Sequence, residues 1–297
     1  MDNVVDKNFV KELGINHIGI IMDGNGRWAK KRFLPRMAGH SQGAKAFKNC
    51  LNSCVKLGIP CVTFYAFSTE NWKRPQKEVD ALLDLLRQYL SNMEEYQKEN
   101  ARLRVLGEVD PLPAALRESI RRAERESAGN TAITVNIALN YGGRGEIVQG
   151  VKRLLAEGIP PEEITEETLS QRLYTAGMPD PDLIIRPSGE CRLSNFLLWQ
   201  SAYSELLFMD VLWPDFTPEH LNYALHQYAR RDRRFGGGGL WSDELPRYHC
   251  HHRAPGAERG AAHPYRALSR LSHRRPGGGN GGALQGPGRH GLFGEYV

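Results

Sequence analysis

The 297-residue chain has few cysteines and no long hydrophobic run. No apolar stretch approaches the ~20 residues that a membrane-spanning helix needs. Residues 1–12 contain acidic side chains and no apolar core, so we expect no signal peptide. The five cysteines lack metal-type spacing, and buried reduced thiols in a cytoplasmic protein are the simplest interpretation. The G-x-x-x-x-G-K-[ST] phosphate-binding loop is also absent.

Positive charge is concentrated at the C-terminal end of the sequence. The net charge is +5, but residues 240–297 alone carry eight Arg, four acidic residues and no Lys, which leaves +1 for the rest. The same segment contains 11 glycines and six of the ten histidines, without a sustained apolar period. That composition predicts a disordered tail. We therefore expect a folded domain over residues 1–238 and a tail over 239–297, and no nucleic-acid partner, because basic and aromatic residues are not interleaved on the domain.

Short Val/Ile/Leu-rich runs alternate with helical patterns along the domain, which predicts an α/β fold with a central, mainly parallel six-stranded sheet flanked by helices. The predicted strands are Ile18–Met22, Val62–Phe67, Leu103–Leu106, Ile133–Ala138, Leu183–Ile185 and Leu206–Met209. The predicted helices are Ser41–Leu57, Gln76–Gln97, Leu112–Glu126, Glu146–Ala156, Glu166–Tyr174 and one that begins at Thr217-Pro218.

The first strand is followed at once by Asp23, Gly24, Asn25 and Gly26. Cations come next, at Arg27, Lys30, Lys31, Arg32 and Arg36. Ligands of open α/β sheets bind at the carboxyl ends of strands. A carboxylate, a Gly-rich turn and many cations at such an end suit a magnesium-bound diphosphate. Asp-Gly and Asn-Gly are also ordinary turn dipeptides, and Gly24-Asn25-Gly26 is not followed by the third glycine of a dinucleotide fingerprint.

The Asp23–Ala29 stretch resembles the signature of the cis-prenyltransferases, the undecaprenyl diphosphate synthase family. Other stretches that resemble this family follow in its order and extend the resemblance over residues 14–238. They are Arg36–His40, Tyr65–Pro75, Leu139–Arg144 and Asp182–Phe235. The resemblance implies that isopentenyl diphosphate is added repeatedly, with cis double bonds, to an allylic primer such as farnesyl diphosphate. The chain contains no Asp-Asp pair, so it lacks the D-D-x-x-D motif of trans-type prenyl synthases.

The resemblance also assigns site residues. Asp23 is the expected Mg²⁺ ligand, together with Glu205, which the family places partly across a dimer interface. The residues expected to bind the allylic diphosphate and its surroundings are Gly24, Asn25, Gly26, Arg27, Trp28, Arg36 and His40. The loop after the second strand is expected to contribute Ser68, Thr69, Glu70, Asn71, Trp72 and Arg74. Asp23 and Asn71 are the expected catalytic residues, and the proton acceptor is left open among Asp23, Asn71 and the substrate's own phosphate.

Arg186, Arg192 and Ser194 are the residues expected to bind isopentenyl diphosphate, since paired guanidinium groups grip phosphate through several donors. Ser194 precedes an apolar run, Phe196–Trp199, which we interpret as a helix whose N-terminus favours an anion. In the family that the chain resembles, a bulky residue at the position of Ala66 accompanies short products, so the resemblance implies a medium-chain product of the undecaprenyl type. Arg234-Phe235-Gly236 resembles the family's C-terminal element.

As partners, the resemblance implies a second copy of the chain in a homodimer and brief membrane contact during release of a lipid product. We expect a cytoplasmic protein, in part at the membrane periphery. The alternative is a non-catalytic partner subunit of a heteromeric prenyltransferase. Such relatives usually lose the Asp-Gly-Asn turn, which is intact here.

Overall fold

The structure is a computed structural model that describes residues 5–91 and 93–231, without the side chains of residues 93–95. Its strands confirm the predicted α/β fold. They are β1 (His17–Ile21), β2 (Cys61–Ser68), β3 (Ala101–Leu106), β4 (Ile133–Tyr141), β5 (Leu183–Arg186) and β6 (Glu205–Phe208). All neighbouring pairs are parallel, in the order β3-β4-β2-β1-β5-β6.

Helices cover this sheet. They are α1 (Lys7–Glu12), α2 (Asn25–Lys31), α3 (Arg36–Leu57), α4 (Gln76–Leu90), α5 (Met93–Lys98), α6 (Ala114–Ser127), α7 (Gly143–Ala156), α8 (Glu166–Ser170) and α9 (Pro218–Ala229). As expected, Thr217 is the N-cap of α9 and Pro218 its first residue.

Two helix predictions need correction. The helix predicted over Gln76–Gln97 ends at Leu90, where Ser91 closes the last turn by donating both its amide and its hydroxyl to the Arg87 carbonyl. A separate helix, α5, follows. The helix predicted over Glu166–Tyr174 ends at Ser170, and α1 was not predicted.

The order of the strands places a crevice beside β1. The chain moves from β1 to β2 on one side and returns to β5 on the other side of β1. Helices on both faces bury every residue of β1 and β5, which explains their continuous apolar sequences. The carboxyl ends of β1, β2 and β5 meet where the strand order reverses, and such a point is the usual ligand site of open α/β sheets.

No helix in the described parts of the chain is long and apolar enough to cross a bilayer. The predicted domain boundary at residue 238, the tail beyond it and the Arg234-Phe235-Gly236 element lie outside the described residues.

Candidate active site

The turn after β1 fixes Asp23 between the strand and α2. The Asp23 amide donates to the Ile21 carbonyl at 2.8 Å. Gly24 has φ of 111° and is the N-cap of α2, and a Cβ there would lie 3.0 Å from the Leu212 side chain. A left-handed conformation with a crowded Cα favours glycine. What the sequence suggested as a Gly-rich turn is therefore the entry into a helix.

Two glycines bring α3 against this helix entry. A Cβ on Gly39 would lie 2.0 Å from the Asn25 carbonyl oxygen, and one on Gly43 would lie 2.2 Å from Asn25 Oδ1. Gly39 therefore lets the backbones of α2 and α3 approach, and Gly43, one helical turn further on, leaves room for the Asn25 side chain. The close packing places His40 of α3 at the same opening as Asn25.

Asp23 accepts three hydrogen bonds on one oxygen. Its Oδ2 receives Arg186 at 2.9 Å, Ser188 Oγ at 2.9 Å and Arg27 at 3.1 Å. Burial alone would raise the pKa of Asp23, but the hydrogen bonds from Arg186 and Ser188, with the charges of Arg27 and Arg186, hold it below its usual value. The carboxylate is therefore ionised at neutral pH, and its Oδ1 accepts no hydrogen bond from the described residues.

The loop after β5 carries the second group of predicted residues. Arg186 is buried and also donates to Ser194 Oγ at 2.7 Å and to the Arg192 carbonyl. The expected helix over Phe196–Trp199 is wrong. Ser194, Asn195 and Leu197 have φ values of 50°, 65° and 42°, and the segment forms consecutive turns. Ser194 therefore does not lie at a helix N-terminus, and its hydroxyl instead accepts a hydrogen bond from Arg186.

The loop after β2 is a short 3₁₀ helix, Thr69–Lys73. Asn71 Oδ1 accepts from the Ser68 amide at 3.0 Å, and Glu70 accepts from Asn195 of the opposite loop at 3.0 Å. Trp72 packs on Phe67 and donates its indole N–H to Asn140 Oδ1 at 2.8 Å.

Glu78 on α4 was missed by the sequence reasoning. Its carboxylate receives Arg36 at 3.1 Å and Arg74 at 2.9 Å, so one acid joins two of the predicted phosphate ligands. The four-residue spacing from Arg74 was the available signal. Ser188 and Asp215 were missed as well, and Asp215 accepts the Trp28 indole N–H at 2.7 Å.

An elongated cavity of about 610 Å³ opens at the crevice. Its apolar walls come from the sheet, α3 and α4, and include Ala66, Phe47, Leu82, Leu85 and Leu86. The apolar face of α4 thus serves both the core and the cavity wall. Predicted residues lining the polar end are Asp23, Asn25, His40, Ser68, Glu70, Asn71, Arg74, Arg186, Arg192 and Ser194.

A second hollow of about 590 Å³ adjoins Asp23 and is lined by Gly24, Gly26, Arg27 and Arg36. Trp28, Thr69, Trp72 and Glu205 line neither cavity.

Three buried polar atoms at the first cavity have no hydrogen-bond partner among the described residues. They are Asn25 Oδ1, His40 Nε2 and Arg186 Nε. Burial, followed by the charge of Arg74, lowers the pKa of His40 to about 4, so its ring is neutral at pH 7. Buried polar groups are almost always paired in folded proteins. The three residues that carry these atoms line the same opening, which favours a polar ligand there.

Glu205 lies at the amino end of the edge strand β6, whereas the cavity opens at the carboxyl ends of the strands. It begins β6, lies level with Leu183 at the start of β5, and forms an ion pair with Arg231. Asp23 follows the end of β1, and at ~3.3 Å per residue of strand the two carboxylates are on the order of 15 Å apart along the strand direction. The assignment of Glu205 to the metal stays a prediction and depends on a second chain.

Comparisons with known proteins identify the family of the chain. A family model described as putative undecaprenyl diphosphate synthase matches residues 21–236. The isoprenyl transferase of Geobacillus kaustophilus is 52% identical over 227 residues, which cover 75% of this chain and 88% of that protein. The isoprenyl transferase of Heliobacterium mobile is 53% identical over 226 residues, covering 74% and 87%.

Solved structures show the same fold. The lavandulyl diphosphate synthase of Lavandula x intermedia, in complex with dimethylallyl diphosphate, aligns with a TM-score of 0.74 at 36% identity, over 76% of this chain and 99% of that one. A probable undecaprenyl diphosphate synthase from Campylobacter jejuni aligns with a TM-score of 0.64 at 35% identity, over 75% and 98%. The predicted resemblance is thereby confirmed, and the chain belongs to the undecaprenyl diphosphate synthase family of prenyltransferases.

Proposed function

We propose that this chain elongates an allylic diphosphate, such as farnesyl diphosphate, by sequential cis-condensation with isopentenyl diphosphate. The product is a medium-chain polyprenyl diphosphate such as undecaprenyl diphosphate, the precursor of a cell-wall lipid carrier. The observation that carries the proposal is the cavity itself, which joins an ionised carboxylate, cations and three unpaired polar atoms to long apolar walls. An amphiphile with an anionic head and a hydrocarbon tail matches that distribution.

The allylic head group is assigned to the α2–α3 side of the crevice. The amides of Asn25, Gly26 and Arg27 precede the first hydrogen bond of α2, which runs from the Trp28 amide to the Gly24 carbonyl, and could donate to phosphate. Arg27, Arg36 and Arg74 supply positive charge. Neutral His40 can donate one ring N–H to a phosphate oxygen. The isopentenyl diphosphate is assigned to Arg186, Arg192 and Ser194, on the opposite wall. This support comes from charge and position, together with the dimethylallyl diphosphate named for the lavandulyl neighbour.

Magnesium is part of this proposal. The described residues contain no cluster of three metal-ligating side chains. Mg²⁺ typically takes one or two carboxylates and completes its shell with substrate phosphates and water, so Asp23, through Oδ1, fits as its protein ligand beside a diphosphate. When bound, the ion would neutralise negative charge on the departing diphosphate.

The protein's own residues orient the two substrates and exclude water. Arg27, Arg36 and Arg74 stabilise charge that develops on the leaving diphosphate, while the apolar walls keep the allylic carbon dry. Ser68, the last residue of β2, and Asn71, in the following 3₁₀ helix, border the space where the hydrocarbon parts of the two substrates meet. The proton lost after condensation passes to Asp23, to Asn71 or to the substrate's phosphate, and these alternatives remain part of the proposal. The proposal also includes a homodimer, in which Glu205 acts across the interface. It further includes a cytoplasmic location and transient membrane contact.

The test is analysis of products. The protein is incubated with farnesyl diphosphate, labelled isopentenyl diphosphate and Mg²⁺, beside Asp23→Ala and an exposed control, Asp84→Asn. We expect a ladder of cis-polyprenyl diphosphates from the wild type and the control, with no ladder from Asp23→Ala or in the presence of a chelator. The longest product reports chain length. A folded wild type that forms no product would favour the alternative, a non-catalytic partner subunit.

A further inference from the structure

The connection between α2 and α3 exposes an aromatic side chain on a constrained backbone. We define residues 30–36 as the α2–α3 tip. Phe33 is 98% exposed and has φ of 55°, and the neighbouring Leu34 is 45% exposed. Positive φ is a genuine outlier for a bulky residue. Two unfavourable properties therefore coincide at one position.

The backbone explains the positive φ but not the phenyl ring. The Leu34 amide donates to the Ala29 carbonyl at 3.0 Å and the Phe33 amide donates to the Lys30 carbonyl at 3.2 Å. This hydrogen-bond pair is a Schellman motif, with Phe33 at the position that is usually glycine. Glycine would satisfy the motif without strain and without exposed apolar surface. The motif also holds the ring outward, so that its presentation is built into the fold.

The tip is surrounded by positive charge. Residues 24–69 contain no acidic side chain and eight Lys and Arg. Arg32 and Arg36 are paired with Asp215 and Glu78. Lys30 and Lys31 are exposed and form no ion pair with any described residue. The surface presented by the tip is thus one aromatic ring flanked by two uncompensated ammonium groups.

The tip also borders the proposed diphosphate site. Phe33, Leu34 and Lys30 form one wall of the hollow whose other wall contains Asp23, Gly26 and Arg27. Whatever contacts the tip therefore lies next to the head-group end of the active site.

We propose that the α2–α3 tip is a membrane-docking element. Phe33 and Leu34 enter the interfacial region of an anionic bilayer, and Lys30 and Lys31 lie against the lipid phosphates. Aromatic residues favour that region, and juxtamembrane lysines are attracted to anionic lipids.

A bilayer fits the tip better than other partners. Two apolar side chains are too small a patch for a stable protein interface. Single-stranded nucleic acid needs several aromatic rings in a basic groove. A free phosphate would leave the ring of Phe33 in water. One ring with a few cations gives weak, reversible attachment, which suits an enzyme that returns to the aqueous phase.

This inference rests on the proposed function, whose transient membrane contact it assigns to the α2–α3 tip, but its test requires no catalysis. The full chain is sedimented with vesicles of phosphatidylglycerol and phosphatidylcholine in equal parts, and with vesicles of phosphatidylcholine alone. The variants are Phe33→Gly, Lys30→Gln/Lys31→Gln and the matched control Leu155→Ala, which removes an exposed apolar side chain elsewhere. All carry the same Arg-rich C-terminal segment, so its contribution cancels in the comparison.

We expect Phe33→Gly to bind the anionic vesicles about tenfold more weakly, because the interfacial burial of a phenyl ring is lost. The same variant should unfold at an equal or higher temperature, because glycine suits the positive φ. The double lysine variant should lose about fivefold per lysine on anionic vesicles and show little change on neutral ones. Leu155→Ala should match the wild type.

Equal binding by wild type and Phe33→Gly would overturn the proposal, and so would absence of binding by the wild type. A concentration-dependent dimer or larger oligomer that Phe33→Gly abolishes would overturn it as well, in favour of a contact between copies of the chain. None of these results bears on the polyprenyl ladder, so failure of the docking proposal is distinguishable from failure of the proposed function.

Discussion

The two walls of the crevice hold their arginines differently. The first wall is the side of the crevice formed by α2, α3 and the start of α4. Its Arg36 and Arg74 have side chains that are 55% and 31% exposed, and both pair with Glu78. On the opposite wall, the Arg186 side chain is only 4% exposed and contacts Asp23, Ser194 and a backbone carbonyl at once. Arg36 begins α3 and Arg74 lies just before α4, so both side chains can adjust, whereas Arg186 ends β5 beside a strained loop and is fixed by hydrogen bonds. Arg186 is therefore preorganised before substrate binds, whereas Arg36 and Arg74 can rearrange around it, as can Arg192 of the second wall, which is 61% exposed.

The largest expected effect comes from conservative substitution of the buried arginine. Arg186→Lys cannot reproduce the fork that reaches Asp23, Ser194 and the Arg192 carbonyl together. Charge-assisted hydrogen bonds contribute about 1.5–3 kcal/mol each, so we expect the KM for isopentenyl diphosphate to rise about 100-fold. Arg36→Lys on the adjustable wall should raise the KM for the allylic substrate by about tenfold or less. Steady-state kinetics with each substrate varied in turn measure both KM values. Equal effects of the two substitutions would contradict the difference between Arg186 and Arg36.

Loss of the acid shared by Arg36 and Arg74 should have a smaller, one-sided effect. In Glu78→Gln both arginines lose their common partner, and we expect the KM for the allylic substrate to rise about fivefold. The KM for isopentenyl diphosphate should not change. Glu118→Gln, which affects an exposed pair with Arg121, is the control. A rise in both KM values would show that the walls are coupled.

The pH dependence of unfolding tests whether His40, on the first wall, is buried as the structure shows. Burial lowers the pKa of His40 and of His17 to about 4, whereas an unfolded chain titrates near pH ~6.5. Between these values the unfolded state binds protons that the folded state does not, so stability falls as pH drops from about 6.5 to about 4.

Urea unfolding at several pH values should show this fall. His40→Gln should make it shallower and leave the contribution of His17, which bonds Thr63 and Pro179 at the far end of β1. An unchanged slope in His40→Gln would mean that this histidine titrates normally.

The smallest effect is expected at Asp215, which contacts the side chains of Trp28 and Arg32 at α2. Asp215 accepts the Trp28 indole and pairs with Arg32 at 3.2 Å, and the Arg32 guanidinium stacks 4.2 Å above the Trp28 ring. Both charges of the ion pair are more than 40% exposed, so Asp215→Asn should cost at most about 1 kcal/mol of unfolding free energy. The KM values should stay within about twofold of the wild type. A larger change in the KM for the allylic substrate would show that the contacts of Asp215 help to form the first wall.

The sheet was readable from the sequence because strands covered on both faces need continuous apolar runs. All six predicted strands are present, with small shifts at their ends. The position of Asp23 was also predictable, since a polar residue directly after a buried strand lies at the carboxyl edge. These features depend on local sequence and on general packing rules.

Features that depend on contacts between distant segments could not be predicted. The run Phe196–Trp199 is apolar because it packs inside the protein, and the left-handed conformations of Leu197 and of the preceding Ser194 and Asn195 do not follow from residue type. The contacts of Trp72 with Phe67 and Asn140 also could not be read from the sequence, and its assignment to the substrate site stays a prediction. The role of Glu78 likewise depends on how α3 lies beside α4, which no single stretch of sequence specifies.

The hydrogen bonds to Asp23 have a consequence for synthesis of the chain. Arg186 and Ser188 lie 163 and 165 residues beyond the carboxylate they hold. A nascent chain therefore displays β1 and its carboxylate long before the residues that complete the proposed reaction centre leave the ribosome. Contacts of such long sequence separation form late, and until β5 arrives one edge of β1 is open to wrong partners. Chains interrupted before β5 carry the signature turn of the family without a working centre.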